Sequence, residues 1–160
     1  MKTEVSFPEI PREEYQGRVS KAKQEMKARG LDALLLFSKE NLTYFTGFRK
    51  TWYFPWLHGA IILKEGEPIL IVPQICHVLA MHMTWLEDEN IIPYGGADYW
   101  GLPQVPTEVF SKKLQQLGLE KANIGTEEGG PGFVYMEISF SEFEKIKKSP
   151  LKYLNTTGVF

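Results

Sequence analysis

Between Arg12 and Arg29 the apolar side chains fall at Tyr15, Val19, Ala22 and Met26, in steps of four, three and four. That spacing predicts an amphipathic helix with one buried stripe. Pro11 suits its first turn and Gly30 its end. Lys21, Lys23, Lys27 and Arg29 crowd the last turns, where cations suit the helix dipole. Leu31 to Phe37 is short, almost wholly apolar and followed by polar residues, the pattern of a strand buried on both faces. Asp32 is expected at its solvent-facing entry, in a turn or capping role. Ser38 to Thr46 predicts a short helix with Ser38 as N-cap and Gly47 as its stop. Ala60-Ile61-Ile62-Leu63 and Ile69-Leu70-Ile71-Val72 flank a run of turn formers, Lys64 to Pro68, and predict a β-hairpin closed by Pro73.

Ile75, Val78, Leu79, His82 and Leu86 then recur at helical spacing. Ile91-Ile92 is a short strand stopped by Pro93, and Gly95 to Pro103 is a loop. A helix over Thr107–Leu117 carries Phe110, Leu114 and Leu117 on one face and stops at Gly118. Ala122 to Gly125 reads as a strand and Glu127 to Gly132 as a Gly-rich loop. Ser141 to Lys148 reads as a helix with Phe140, Phe143 and Ile146 inward, and Leu151 to Leu154 as a last strand. No repeat, low-complexity tract or linker divides the chain, so residues 1–160 form one domain. Strands alternating with helices on both sides predict a three-layer α/β/α fold around a sheet of about five or six strands.

Composition narrows the function classes. The chain is 43% hydrophobic and 24% charged with a formal charge of -2, the balance of an ordinary globular domain. A general nucleic-acid binder needs a basic surplus that this chain does not have. No apolar run approaches the ~20 residues that span a bilayer, and residues 1–9 carry no apolar stretch of signal-peptide type. A single cysteine, Cys76, excludes an internal disulfide and a multi-Cys zinc site. A cytoplasmic protein is expected.

The parts of a self-sufficient catalyst are missing. His77 and His82 lie five apart on a predicted helix, roughly 140° from one another at 3.6 residues per turn, so they do not form the same-face pair of an HExxH site. There is no Gly-x-Ser-x-Gly elbow. Gly129-Gly130-Pro131-Gly132 fits neither a phosphate loop nor a dinucleotide fingerprint and reads as a turn. Cys76 reads as a small buried apolar residue, and Glu127-Glu128 as surface charge. No catalytic residue, metal ligand or cofactor site is predicted.

One segment stands out. Seven aromatics, Tyr44, Phe45, Phe48, Trp52, Tyr53, Phe54 and Trp56, fall within thirteen residues, with Arg49, Lys50 and His58 interleaved. Residues 48–58 lie between a predicted helix and a strand and so form a loop. Two uses fit. The rings fold back onto the domain's own core, or they serve a ligand or subunit interface, since Trp, Tyr and Arg dominate such sites.

The run from Gly30 through Leu31-Asp32-Ala33-Leu34-Leu35 to Ser38, Glu40-Asn41 and Tyr44-Phe45-Thr46-Gly47-Phe48 resembles the signature that opens the creatinase, aminopeptidase P and prolidase family. Leu117-Gly118 and Ile124-Gly125-Thr126-Glu127 resemble a later element of that family. The resemblance covers nearly the whole chain. It implies a mixed sheet with ribonuclease-H-like topology, followed in the longer protein by a C-terminal "pita-bread" catalytic domain that this chain does not include. There, two Asp, one His and two Glu bind two divalent metal ions (Mn, Co or Zn). It implies a homodimer in which the N-terminal domain limits access to the partner's active site, for a Xaa-Pro peptide or another small substrate such as a creatine-like molecule. Carried onto this sequence, the rim candidates are Arg49, Trp52, Tyr53, Phe54, Trp56 and His58. A stand-alone binding or assembly module is the alternative from another class.

Overall fold

Tyr15, Val19, Ala22 and Met26 are the buried side chains of the first helix, α1 (Arg12–Ala28), the four positions the spacing predicts. The computed structural model describes residues 10–49, 56–96, 105–119, 121–127, 145–146 and 152–155. Behind α1 follow β1 (Ala33–Leu36), α2 (Lys39–Thr46), β2 (Gly59–Leu63), β3 (Ile69–Pro73), α3 (Gln74–Met83), β4 (Ile91–Tyr94), α4 (Pro106–Gln116), β5 (Asn123–Thr126) and β6 (Lys152–Asn155). Of the helix expected over Ser141–Lys148, residues 145–146 are helical and Ile146 is buried. Its other positions, the loop over 97–104 and the second Gly-rich loop beyond Glu127 lie outside the described residues.

The six strands run in the order β4-β3-β2-β1-β5-β6. β2 is antiparallel to both its neighbours, and every other pairing is parallel. The core order β3-β2-β1-β5-β6 with β2 reversed is the expected ribonuclease-H-like arrangement, and α3 carries the chain across to add β4 at one edge. β1 explains its own composition. Leu34 and Leu36 enter the core beneath α1, α2 and α3. Ala33, Leu35 and Phe37 enter the core beneath α4 and Ile146. A strand covered on both faces has no position left for a polar side chain. The hairpin repeats this, with Leu70 and Val72 in one core and Ile69 and Ile71 in the other.

Gly59 opens β2 where nothing larger fits. A Cβ there would lie 2.5 Å from Phe110 Cζ and 2.9 Å from Phe37 Cδ1.

α3 is turned the opposite way from an ordinary amphipathic helix. Apolar residues at helical spacing mark a buried face in most surface helices, yet Ile75, Val78, Leu79 and Met83 are exposed. The side against the sheet is made by Cys76 and Ala80. Small residues there let the helix lie close on the strands and leave the larger ones outside.

Candidate functional site

The aromatic loop is held at both stems. On the entering side, Ser38 caps α2 by accepting from Asn41 N at 3.3 Å, and Gly47 ends the helix in the left-handed region at φ 81°. Two threonines of α2 then fix Phe48. Thr46 Oγ1 accepts from Phe48 N at 3.1 Å while donating to Leu42 O at 2.6 Å, and Thr43 Oγ1 donates to Phe48 O at 3.0 Å. On the returning side, His58 Nδ1 donates to Trp56 O at 2.7 Å, and the Tyr94 hydroxyl donates to Leu57 O at 2.7 Å. The stems meet where the His58 imidazole stacks on the Phe48 ring, centroids 5.5 Å apart and planes 26° apart.

From this base the sequence-predicted residues diverge. Arg49 is exposed immediately after Phe48. Trp56 is 44% exposed immediately before Leu57. His58 is not at a rim: it is 1% exposed and belongs to the base of the loop. Its position directly before β2, between buried Leu57 and Gly59, draws it inward, so this rim candidate is buried within the domain. Trp52, Tyr53 and Phe54 lie outside the described residues.

Arg49 stands between two depressions. One, of about 530 Å³, runs between α1 and α2 and is lined by Arg18, Lys39, Thr43 and Tyr44. The other, of about 350 Å³, reaches the end of α3 at His82, Met83 and Thr84. A wall of alternating cations and rings borders them. Arg12 lies over Trp85 at 5.6 Å, Tyr15 stacks with Trp85, and Arg18 lies over both Tyr15 and Tyr44, at 5.2 and 4.5 Å. Trp85 Nε1 donates to Phe45 O at 2.8 Å, which ties this wall to α2.

α2 is anchored by a residue that sequence reasoning assigned to the surface. The Glu127 carboxylate accepts from Phe37 N at 2.7 Å, Ser38 N at 2.8 Å and Ser38 Oγ at 2.7 Å, and also from Asn41 Nδ2. Parallel pairing of β5 with β1 places the residue after one strand beside the residue after the other. A carboxylate there meets the N–H groups of Phe37 and Ser38 just ahead of α2 and sits at the positive dipole end of that helix. The reading of Glu127 as surface charge is therefore replaced by a structural one. The signal available in sequence was the pair of strand ends, β5 followed directly by Glu127 and β1 followed, after Phe37, by Ser38.

At the opposite end of β1, Asp32 is half-buried. It accepts from Asn123 N at 2.8 Å and pairs with Lys64. Lys64 first, and the Asn123 N–H second, hold its carboxyl below the usual carboxylate range. Among the described residues no three His, Cys, Asp or Glu side chains converge as metal ligands do. Among them, too, no helix is long and apolar enough to cross a membrane.

The family model described as Creatinase/Prolidase N-terminal domain matches residues 18–149. Among curated proteins, the ectoine hydrolase of Halomonas elongata is 35% identical over 92 residues, covering 57% of this chain and 22% of that protein. The putative dipeptidase YkvY of Bacillus subtilis is 27% identical over 139 residues, covering 81% of this chain and 38% of that protein. The chain thus spans well under half the length of these relatives. Among solved structures, the recombinant prolidase from Thermococcus sibiricus superposes with a TM-score of 0.71 at 17% identity, covering 95% of this chain and 36% of that one. The Creatinase/Prolidase N-terminal domain of an X-Pro dipeptidase from Streptococcus pyogenes gives 0.65 at 15% identity, covering 89% of this chain and 95% of that one.

Proposed function

Because this chain belongs to the Creatinase/Prolidase N-terminal domain family, we propose that it is the non-catalytic N-terminal domain of a Xaa-Pro peptidase-like hydrolase. In this reading it forms a homodimer and presents the loop of residues 48–58 at the rim of the partner's active site. The observation that carries the reading is the loop's construction. Its stems are pinned by Thr43, Thr46, His58 and Tyr94, and Arg49 and Trp56 are left outward beside them. Backbone pinned at both stems lowers the ordering cost of binding through the residues it carries.

The chemistry suits the substrate class. A proline peptide bond has no N–H and a fixed φ, so selection falls on shape, and aromatic walls supply shape while excluding water. An arginine pairs with a peptide's terminal carboxylate through two parallel hydrogen bonds. The metal pair and the hydrolytic step belong, in this reading, to the domain that follows in a cytoplasmic longer protein. The shares of 22% and 38% that the chain spans in its relatives leave room for that domain.

One observation favours a second reading. Identity with the ectoine hydrolase, at 35%, exceeds the 27% with the putative dipeptidase, over a shorter stretch. It supports a creatinase-like hydrolase that opens a C–N bond in a small molecule. The test is to express the longer protein and follow hydrolysis of Xaa-Pro dipeptides beside ectoine. Turnover of the dipeptides alone supports the first reading, and turnover of ectoine alone the second. A reading frame that stops at residue 160 would leave a stand-alone binding or assembly module.

A further inference from the structure

Polar atoms inside a folded protein nearly always find a hydrogen-bond partner. Around the depression of about 350 Å³ at the end of α3, several do not. Tyr15 is 8% exposed, yet its hydroxyl makes no hydrogen bond among the described residues. Met83 O belongs to the last turn of α3, beyond which no helical N–H follows to bond it. Thr84 Oγ1, in the next residue, is buried and unpartnered. Gly47 lies between the first two. A Cβ on it would stand 3.1 Å from Met83 O and 3.2 Å from the Tyr15 hydroxyl, so glycine keeps the space between them open. Arg49 closes the other side. Among the described residues it makes no ion pair, and no carboxylate lines the depression.

The partners around this space have opposite preferences. Arg49 offers a planar fork of donors that grips a carboxylate through two bonds. Met83 O sits at the negative dipole end of α3, where a cation is favoured. The Tyr15 hydroxyl can donate to one or accept from the other. A lone anion would lie against the negative end of α3, and a lone amine against Arg49. A molecule carrying both charges meets neither conflict. The volume stands at the lower end of the roughly 300–1,000 Å³ of small-molecule sites, the scale of a compact ligand. We propose that the depression binds a free α-amino acid, its carboxylate on Arg49 and its ammonium between Met83 O and the Tyr15 hydroxyl. This goes beyond the rim reading. It needs one copy of this chain and no second domain, although Arg49 serves in both.

The experiment is isothermal titration calorimetry of the 160-residue chain with L-alanine and L-leucine, with circular dichroism to confirm that each variant folds. The expected result is saturable binding of at least one of them. N-acetyl-L-alanine, which lacks the ammonium, and L-alaninamide, which lacks the carboxylate, should each bind about tenfold more weakly or worse than L-alanine, the loss that follows when a hydrogen bond to a charged group is removed. Arg49→Ala and Tyr15→Phe should raise Kd by about tenfold each, and Lys112→Ala on α4 should leave it unchanged. Tyr15→Phe should fold as the parent does, since its hydroxyl has no partner to lose. Where a variant does not fold, the two analogues decide. Absence of binding with both amino acids overturns the proposal and leaves the polar atoms to solvent. Equal binding of the analogues overturns it, and so does a Kd that neither substitution moves. The rim reading fails separately, on the activity of the longer protein.

Discussion

Glu127 and Ser38 are 89 residues apart in the chain, yet one carboxylate oxygen of Glu127 accepts from the Ser38 amide at 2.8 Å and the other from its hydroxyl at 2.7 Å. Ser38 caps the helix, and Glu127, the residue after β5, in turn fixes the capping residue. Hydrogen bonds to a charged group are worth about 1.5–3 kcal/mol. Glu127→Ala should therefore destabilise the domain by about 2–3 kcal/mol in urea unfolding. Glu127→Gln, which keeps one acceptor, should lose less. A loss within ~0.5 kcal/mol, the usual range for surface substitutions, would return Glu127 to the surface role its sequence context implies.

What the sequence made legible follows from range. The helix stripe of α1, the Ser38 cap, the Gly47 stop and the hairpin each depend on residues a few positions apart, and all stand in the structure. Glu127 was misread because its partners are brought by parallel pairing across the sheet, which no local pattern encodes. α3 illustrates a different limit. Periodicity located the helix, but the spacing of Ile75, Val78 and Leu79 does not say which side meets the sheet, and the small residues Cys76 and Ala80 took it. His58 was drawn into the loop by its neighbours in sequence and into the core by its neighbours in space. Of the six rim candidates, the structure shows Arg49 and Trp56 exposed and His58 buried.

Gly59 provides a packing test. Its absent Cβ leaves room for the rings of Phe110 and Phe37, which belong to the core beneath α4. Overpacking of this kind costs about 1–3 kcal/mol. Gly59→Ala should lower the melting temperature measurably, and Gly66→Ala is not an equivalent control because Gly66 sits at φ 78°. Gly17→Ala is the proper one, since nothing lies within 4 Å of its Cβ position and alanine favours a helix.

Asp32 should give the domain one leg of its acid dependence. Its carboxyl is held below the usual value of about 3.9 by Lys64 and by Asn123 N–H. A carboxyl depressed on folding stabilises above its unfolded pKa, and that contribution fades as pH falls through the folded value. Stability should therefore be level near neutrality and decline below about pH 4. Asp32→Asn should flatten part of that decline. Because the pair is partly exposed, at 53% and 31% for the two side chains, the effect stays at or below about 1 kcal/mol. An unchanged acid limb in Asp32→Asn, followed by urea titration at successive pH values, would contradict this assignment.

His58 separates stacking from hydrogen bonding at the loop base. His58→Phe retains a ring against Phe48 but leaves the Trp56 carbonyl without its donor, a loss of about 1–2 kcal/mol. His58→Ala removes both and should cost about 2–3 kcal/mol. Tryptophan fluorescence during unfolding provides the readout. Equal costs for the two variants would show that the stack contributes nothing.

Arg49 and Trp56 test the rim directly because stability and activity should part. Trp56 is 44% exposed and Arg49 lies on the surface, so truncating either to Ala should cost under about 1 kcal/mol, against the ~3 kcal/mol or more of a buried tryptophan. In the longer protein the same changes should lower kcat/KM for the preferred substrate by about tenfold or more, the loss that follows when about 1.4 kcal/mol of transition-state contact is removed. Arg49→Lys distinguishes charge from geometry. A lysine keeps the charge but not the planar fork that grips a carboxylate through two bonds, so partial recovery is expected, with KM still raised. If both alanine variants keep full activity, the loop does not border the active site. If instead Trp56→Ala unfolds the domain, the ring serves this domain's own packing.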